Sequence, residues 1–219
     1  MLIESFPAPM FATNCWVIAP SPKSECVIVD PGMPDVSAQV SHIISEFDLK
    51  PVAIIATHGH LDHTFSIQPI ADGYDIPVRI HAEDRRLLAQ PQFAHGVEFM
   101  KALGGQVFTE PKKVFEMKNG EEFFLLDLKF KAIHAPGHTR GSTMFLIENE
   151  VLISGDVLFK GSIGRTDLPT GSQSDMMDTL RRKVLPLADG IRVLPGHGDE
   201  TTIQYERKYN PYLKELERG

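Results

Sequence analysis

The sequence predicts an α/β protein in which mixed β-sheets carry helices on both sides. The chain has 219 residues, of which 42% are hydrophobic, so it is long enough for one domain with a full core. Strand and helix patterns alternate in the first half, and short apolar runs joined by turn signals dominate the middle. Together these observations predict a single layered domain over residues 1–219.

The N-terminal half is predicted to form a hairpin and then a βαβ unit. Apolar runs at 15–19 and 26–29 flank a Pro/Ser-rich turn, which is typical of two antiparallel strands. Apolar residues at helical spacing between Val36 and Phe47 predict a helix, and the run 52–57 predicts the strand that follows it. The elements expected next are a helix over 62–71, a strand over 78–81 and a short helix over 83–88.

Residues 90–110 have no clear period, because a proline and several glycines interrupt it, so no element is assigned there. From Val114 onwards hairpins are predicted, the first around Asn119-Gly120, since both residues of such a turn tolerate positive φ. The remaining expectations are strands over 128–133, 143–147, 151–154 and 191–194, a helix over 176–185, and a C-terminal helix that begins near Thr201 or Thr202 and is interrupted at Pro211.

Composition excludes some classes of function. The net charge of −7 gives no electrostatic footprint for nucleic acid, so no nucleic-acid partner is expected. The N-terminus lacks the basic and apolar regions of a signal peptide, and no apolar stretch is long enough to span a bilayer. We therefore expect a cytoplasmic protein without a membrane partner. Cys15 and Cys26 lie in apolar runs and are predicted to be buried hydrophobic residues rather than a disulfide or nucleophiles.

Three imidazoles and a carboxylate occur within six residues, directly after the strand predicted over 52–57. They belong to His58, His60, Asp62 and His63. A loop that starts at the end of a strand can turn His58 and His60 towards one point and the other two towards a second point close by. Imidazole nitrogen and carboxylate oxygen suit zinc, iron or manganese, and the absence of nearby cysteine argues against a closed structural zinc site.

Three further polar residues follow predicted strands, each directly after a glycine. They are His138, Asp156 and His197. Glycine permits close approach of the backbone, and a ligand at the end of a strand can reach a shared site. Each dipeptide alone is a weak signal that is better explained by a turn, but the combination with the first loop favours a metal site.

These segments resemble the signature loops of the metallo-β-lactamase superfamily, and within it the glyoxalase II (hydroxyacylglutathione hydrolase) branch of short bacterial type. The matching segments are Thr57-His58-Gly59-His60-Leu61-Asp62-His63, Pro136-Gly137-His138-Thr139, Ser154-Gly155-Asp156 and Pro195-Gly196-His197. The resemblance implies an αββα sandwich of two mixed sheets with the site at the edge where the sheets meet. It also implies one metal on His58, His60 and His138, a second on Asp62, His63 and His197, and Asp156 as a bridge. Because the bridging aspartate is present and cysteine is absent from these loops, glyoxalase II is favoured over true β-lactamases.

The predicted reaction is hydrolysis of a small-molecule thioester. Seven ligands on two divalent ions leave open coordination positions, as catalysis requires. A metal can lower the pKa of its bound water from 15.7 to about 7, so a metal-bound hydroxide is the expected nucleophile, with Asp62 and Asp156 as catalytic ligands. Zinc is the expected metal, with iron or manganese as alternatives. A thiolate leaves without a strong general acid, whereas an amine needs one.

Substrate contacts are harder to predict. Arg165 follows Asp156 closely and could bind a substrate carboxylate, or it could pair with Asp167. Asp30 and Thr57 are predicted to orient the ligands through hydrogen bonds.

Long glyoxalase II enzymes have a tyrosine near the position of Arg165 and a C-terminal basic pair for glutathione. No tyrosine lies near Arg165 here, and Arg207 and Lys208 are better explained by an exposed helix face than by glutathione binding. The thiol carrier therefore stays open, as does the oligomeric state.

Two alternatives accompany the thioesterase prediction. The segment Gly164-Arg165-Thr166-Asp167 is also similar to persulfide dioxygenases, relatives that carry a single iron. A metal-binding module without turnover would be indicated by a broken ligand set, and no ligand is missing here. Among the other histidines, surface or capping positions are expected for His42, His81 and His95, whereas His134 either orients a ligand or is a satisfied core residue.

Overall fold

Within residues 1–218, which this computed structural model describes, the chain forms two six-stranded β-sheets. The first sheet has the strand order β1-β2-β3-β4-β5-β6. Strands β1 to β3 pair antiparallel, and β3 to β6 pair parallel, so the sheet is mixed. Its strands are β1 (Leu2–Pro7), β2 (Asn14–Ala19), β3 (Glu25–Val29), β4 (Lys50–Ile55), β5 (Val78–His81) and β6 (Val114–Met117).

The second sheet is also mixed. Its order is β12-β11-β10-β9-β8-β7, and only β10 and β11 pair parallel. Its strands are β7 (Glu122–Leu125), β8 (Leu128–His134), β9 (Thr143–Ile147), β10 (Val151–Gly155), β11 (Arg192–Pro195) and β12 (Thr201–Thr202).

Helices lie on the outer faces and in the connections. A 3₁₀ turn at Arg86–Leu88 follows α4, and a π-helical turn at Leu180–Val184 continues α7. The helices are α1 (Ser37–Glu46), α2 (Leu61–Thr64), α3 (Ile67–Tyr74), α4 (Ala82–Arg85), α5 (Gln92–His95), α6 (Val97–Ala102), α7 (Gln173–Thr179), α8 (Ile203–Tyr209) and α9 (Pro211–Arg218).

The side chains of β9 show how the layers are built. Phe145 and Ile147 pack in the core between the two sheets, whereas Met144 and Leu146 pack in the core under the outer helices α7 to α9. This alternation follows from the two-residue period of a strand, and it explains why β9 is apolar throughout. The corresponding outer core of the first sheet lies under α1 and α3. The predicted αββα sandwich is therefore confirmed.

Most elements predicted from sequence are present, including the βαβ unit formed by β3, α1 and β4. The hairpin predicted around Asn119-Gly120 is wrong. Strand β6 pairs with β5 in the first sheet and β7 pairs with β8 in the second, so this turn carries the chain from one sheet to the other. The hairpin lies one turn later, at Leu126 and Asp127, which both have positive φ. The unassigned segment 90–110 contains the short helices α5 and α6.

Backbone hydrogen bonds connect the two sheets at one edge. The N–H of Thr143 in β9 donates to the carbonyl of Thr57 just after β4 (2.9 Å). The N–H of Asn14 in β2 donates to the carbonyl of Gly196 just after β11 (2.7 Å). The ends of strands from both sheets are therefore held within hydrogen-bonding distance of each other along this edge.

In the part of the chain that the structure covers, no helix has both the length and the apolar character needed to cross a lipid bilayer.

Candidate metal centre

The predicted ligand residues all lie at the edge where the sheets meet. The first ligand loop leaves β4 and continues into α2, and the other ligands directly follow strands or short connections after β8, β10 and β11. Three groups of side chains each bring their potential ligand atoms within 4.8 Å of one another. The groups are His58, His60 and His138; His58, His63 and Asp156; and Asp62, His63 and His197.

Asp156 lies between the two ligand sets that the sequence predicts. Its Oδ2 is 3.4 Å from Nε2 of His138 and 3.5 Å from Nε2 of His197. Its Oδ1 is 3.4 Å from Nε2 of His63. One carboxylate thus faces ligands of both sets, which is the position expected for a bridging ligand.

Two of the histidines are oriented by backbone carbonyls. Nδ1 of His138 donates to the carbonyl of Arg165 (2.7 Å), and Nδ1 of His197 donates to the carbonyl of Phe11 (3.1 Å). A carbonyl only accepts, so these bonds put a proton on Nδ1 and leave Nε2 as the nitrogen that would bind a metal. In both residues Nε2 faces Asp156.

Two more histidines are oriented by the residues that the sequence predicted for this purpose. Nδ1 of His63 donates to Oδ2 of Asp30 (2.9 Å), which is buried. The same carboxylate accepts from the N–H and the hydroxyl of Thr57, and that hydroxyl lies 3.0 Å from Nδ1 of His58. Asp30 and Thr57 therefore fix two ring orientations at once, as partners of metal-binding histidines do.

The donor atoms fit a metal ion better than they fit each other. Nδ1 of His60 lies 2.8 Å from Nε2 of His138, so two ring nitrogens face each other at hydrogen-bond distance. Nε2 of His58 and Oδ1 of Asp156 are buried and have no hydrogen-bond partner among the described residues. An unsatisfied buried polar atom costs about 1–3 kcal/mol, and a cation between these atoms would satisfy them. Nitrogen and oxygen donors of this kind suit zinc, iron or manganese.

The protonation of the histidines differs between the two predicted ligand sets. Burial, reinforced by the neighbouring histidines, lowers the pKa of His58 and of His60 well below the ordinary value, so both rings are neutral, as metal binding requires. Burial also opposes charge on His197, but the hydrogen bonds that its ring donates to the carboxylates of Asp156 and Asp62 raise its pKa to about 9. Burial likewise opposes charge on His63, yet the carboxylates of Asp156, Asp62 and Asp30 raise its pKa.

The two carboxylates are held ionised. Burial works against the charge of Asp62 and of Asp156, but in each case the neighbouring histidines, His63 foremost, together outweigh it and hold the pKa below its usual range. Asp62 also accepts a hydrogen bond from the hydroxyl of Thr13 (3.0 Å). The Asp62, His63 and His197 set is thus a charged cluster without metal, and a divalent cation that binds there must displace protons from the histidines.

Because Gly196 has no side chain, the loop that carries His197 can lie close to Asp156 and His63. A Cβ at this position would collide with Oδ1 of Asp156 and would lie 2.7 Å from Cε1 of His63. Any side chain here would occupy the space between the ligand atoms.

Asp84 is a site residue that the sequence did not reveal. Its carboxylate is fully buried and accepts from the N–H of Gly59 (2.8 Å), the hydroxyl of Thr139 (2.6 Å) and the N–H of Gly141 (2.8 Å). These three donors belong to the first ligand loop and to the His138 loop, so Asp84 ties the two loops together. A single aspartate in a helical segment carries no signal for this contact.

A cleft of about 520 Å³ opens over the ligand atoms. Besides ligand residues it exposes His95, whose Nε2 accepts from the N–H of Leu61 at the start of α2 (2.9 Å). His95 was predicted at the surface or at a cap; it caps α2 but also lines the cleft. The other lining residues are Phe11, Met33, Phe99, Phe159, Arg165 and Leu168.

Arg165 lies at the cleft as predicted, and its guanidinium is also paired with Asp167. Two nitrogens of Arg165 donate to the two oxygens of that carboxylate at 2.8 and 2.7 Å. Both side chains are exposed, so the pair contributes little to stability. The position of Arg165 is therefore compatible both with binding a substrate carboxylate and with its pair to Asp167.

The remaining predicted residues lie away from the ligands. Cys15 and Cys26 are buried and free, as predicted. His42 is exposed, and His81 accepts from the N–H of Glu83 as an N-cap. His134 stacks on His81 with ring centroids 4.0 Å apart, and its Nε2 donates to the carbonyl of Arg140, so it contacts no predicted ligand.

Two helix-flanked sheets with paired histidine and aspartate clusters at their shared edge define a metal-binding α/β protein. Comparison with known families agrees: residues 8–197 match the family described as metallo-beta-lactamase superfamily. The chain belongs to this superfamily, whose members are typically metal-dependent hydrolases.

Individual relatives cover nearly the whole chain. An uncharacterized protein of Mycobacterium leprae is 42% identical over 99% of this chain and 100% of its own length. Hydroxyacylglutathione hydrolase GloC of Haemophilus influenzae is 34% identical over 97% of this chain and 98% of its own.

Solved structures show the same architecture. BLEG-1 B3 metallo-beta-lactamase superposes with a TM-score of 0.84 at 34% identity, covering 97% of this chain and 99% of that one. TTHA1623, in a di-iron-bound form, superposes with a TM-score of 0.78 at 29% identity, covering 97% and 100%. The second structure shows that a protein similar to this chain holds two metal ions.

Proposed function

We propose that the protein is a dinuclear metal hydrolase of the glyoxalase II type that cleaves S-acyl thiols. The observation that carries this proposal is the position of Asp156 between two complete ligand sets at the floor of an open cleft. His58, His60 and His138 would hold one ion, and Asp62, His63 and His197 the other. A purely structural metal site would not require an open cleft above the ligands.

The chain's own residues prepare the site for hydrolysis. When bound, the two divalent ions would supply Lewis acidity, which activates water and polarises the substrate carbonyl. Hydrogen bonds to Asp30 and to the carbonyls of Arg165 and Phe11 hold the rings in the orientation that binds metal. The carboxylates of Asp62 and Asp156 remain ionised and keep the centre anionic enough to retain two cations.

The available acids favour a thioester over an amide. An amine leaving group needs a proton donor, whereas a thiolate does not. Of the cleft residues outside the ligand sets, His95 is the one histidine that the structure describes, and burial lowers its pKa so that its ring is neutral. For this reason we place thioester hydrolysis ahead of the β-lactam chemistry named for BLEG-1. The similarity to GloC supports the same choice.

The walls of the cleft suggest an apolar substituent on the substrate. Phe11, Phe99 and Phe159 line it together with Met33 and Leu168. Arg165 is the only arginine or lysine among the described lining residues, and Asp167 already pairs with its guanidinium. A thiol carrier that depends on several carboxylates would therefore find few partners in the cleft itself.

The test is release of free thiol from a panel of thioesters, including S-D-lactoylglutathione, by protein loaded with zinc, iron or manganese. We expect turnover with two ions per chain, and a loss of at least about 100-fold in kcat/KM in His58→Ala. His42→Ala, which changes an exposed histidine, serves as the matched control and should leave kcat/KM unchanged. Absence of turnover with every thioester, in protein shown to hold two ions, contradicts the proposal.

The same preparations decide the iron-dependent alternative. The di-iron form of TTHA1623 shows that a similar chain can hold iron, and a persulfide dioxygenase would use a single iron. Oxygen uptake with glutathione persulfide, at one iron per chain and without thioester turnover, would replace the hydrolase proposal with the dioxygenase.

A further inference from the structure

A second cavity, of about 250 Å³, is lined in part by the loops after β8 and β10, which also line the cleft. His138 and Arg165 line the cleft, and Arg140 and Thr170, a few residues further along each loop, line the second cavity. We call it the arginine pocket. Its lining residues are Ala82, Glu83, Arg86, Arg140 and Thr170.

Arg86 presents free hydrogen-bond donors to this pocket. Its guanidinium carbon lies 4.7 Å from the centroid of the Phe93 ring, so one face of the group stacks on an aromatic side chain. The N–H groups of a guanidinium lie in its plane and stay available when its face is covered. Among the side chains that the structure describes, those of residues 1–217, no ion pair includes Arg86.

The backbone of Arg140 is held by hydrogen bonds, whereas its side chain forms no ion pair in the described part of the chain. Its neighbours Thr139 and Gly141 are both bonded to the buried carboxylate of Asp84, and its own carbonyl accepts from Nε2 of His134 (2.7 Å). The side chain itself is exposed. A cationic group on a rigid base is well suited to bind an anion, because little order is lost on binding.

Thr170 adds a buried hydroxyl that lacks a partner. The residue is 8% exposed, and its Oγ1 is buried and makes no hydrogen bond within the described residues. Leaving such a group unpaired costs about 1–3 kcal/mol. A rotation about χ1 would turn the hydroxyl towards the pocket, where an oxyanion oxygen would accept its hydrogen bond. The hydroxyl is therefore a donor that a ligand in the pocket would satisfy.

The charges around the pocket also favour an anion. The lining residues include two guanidinium groups and one carboxylate, that of Glu83, so positive charge exceeds negative charge. The nearby carboxylate of Asp84 is turned inwards and is already bonded to three donors of the ligand loops. We propose that the arginine pocket binds an oxyanion, either a phosphate or a carboxylate, between Arg86, Arg140 and the hydroxyl of Thr170.

The test is titration of inorganic phosphate into the metal-loaded protein, followed by calorimetry. The double variant Arg86→Gln/Arg140→Gln is expected to lose about tenfold or more of the affinity, and Thr170→Val several-fold. Arg181→Gln/Arg182→Gln is the matched control, because it removes the same charge from exposed positions elsewhere. Phosphate held at the metal ions is a background common to all four proteins.

Two results would overturn the proposal: unchanged affinity, within twofold, in Arg86→Gln/Arg140→Gln, or an equal loss in the Arg181/Arg182 control. The four arginines that these variants replace are exposed, so the variants should fold, and thermal denaturation checks this. Thr170→Val keeps the charge and so tests the pocket separately from general electrostatics.

A second experiment identifies the source of the anion and, unlike the first, rests on the proposed thioesterase activity. It compares acetyl thioesters of coenzyme A, which carries phosphates, and of N-acetylcysteamine, which carries none. If the anion belongs to the thiol carrier, Arg140→Gln raises KM for the first substrate only. If the pocket instead binds a free anion that is not part of the thiol carrier, Arg140→Gln changes the KM values of both substrates to the same extent, while its loss of phosphate affinity remains.

Discussion

Replacement of Asp84 by asparagine tests how the ligand loops are held together. The carboxylate accepts three hydrogen bonds: Oδ2 accepts from the N–H of Gly59 and the hydroxyl of Thr139, and Oδ1 accepts from the N–H of Gly141. An asparagine can keep the first two bonds through its carbonyl oxygen. Its NH₂ group then faces the N–H of Gly141, and two donors meet in a buried site.

The expected magnitude follows from this geometry. One bond to a charged acceptor is lost and one buried donor is left unsatisfied, which costs about 1–3 kcal/mol. The side chain cannot escape easily, because even a Cβ built at Gly141 would lie 2.5 Å from Cγ of Asp84. Because Gly59 separates His58 from His60, and Thr139 follows His138, metal affinity should also fall by about 10–100-fold.

Urea denaturation of the metal-free protein measures the first effect, and competition with a chelator measures the second. Asp178→Asn is the matched control, since this aspartate is exposed and its pair with Arg182 (2.8 Å) should contribute less than about 1 kcal/mol. A stability loss below about 0.5 kcal/mol in Asp84→Asn, together with unchanged metal affinity, would refute the role assigned to Asp84.

Two further predictions concern the second ligand set. In the metal-free protein the pKa of His197 is raised to about 9. Its contribution to stability is therefore complete below the unfolded value of about 6.5 and is lost as the pH rises to about 9, so stability should decline over this interval. Thermal melts across the range check this; His197→Gln should make the decline shallower, and a flat or rising profile in the unsubstituted protein argues against the assignment. Gly196→Ala should abolish binding of one metal ion, because its Cβ would collide with Asp156, whereas Gly190→Ala, where a Cβ meets no atom within 4 Å, should retain two ions by elemental analysis.

The elements that could be predicted are those with a local signature. The strand before His58 is a continuous apolar run, and the helix between Val36 and Phe47 repeats apolar residues at helical spacing, so each can be recognised from its own segment. The turn at Asn119-Gly120 carried an equally good local signal but was assigned to the wrong pairing. Turn chemistry specifies that the chain reverses, whereas the sheet that each flanking strand joins depends on contacts far along the chain.

The ligand loop after β4 was the most informative feature of the sequence, and the structure brings all its polar residues to one edge. This part was predictable, because each of the seven predicted ligands follows a strand, and strand ends of a sandwich meet where its sheets join. The roles of Asp84, Thr13 and His95 were not predictable. Their partners lie 25, 49 and 34 residues away, and only packing of the two sheets brings them into contact.

The sequence by itself therefore determined the fold class and the donor atoms, since apolar periodicity and residue type are local properties. Tertiary structure alone decided how those atoms are oriented, charged and enclosed. Ring orientation depends on carbonyls such as that of Phe11, which is 186 residues from the His197 that it orients. The apolar cleft and the arginine pocket are likewise surfaces assembled from separate loops, and no single segment of the chain encodes them.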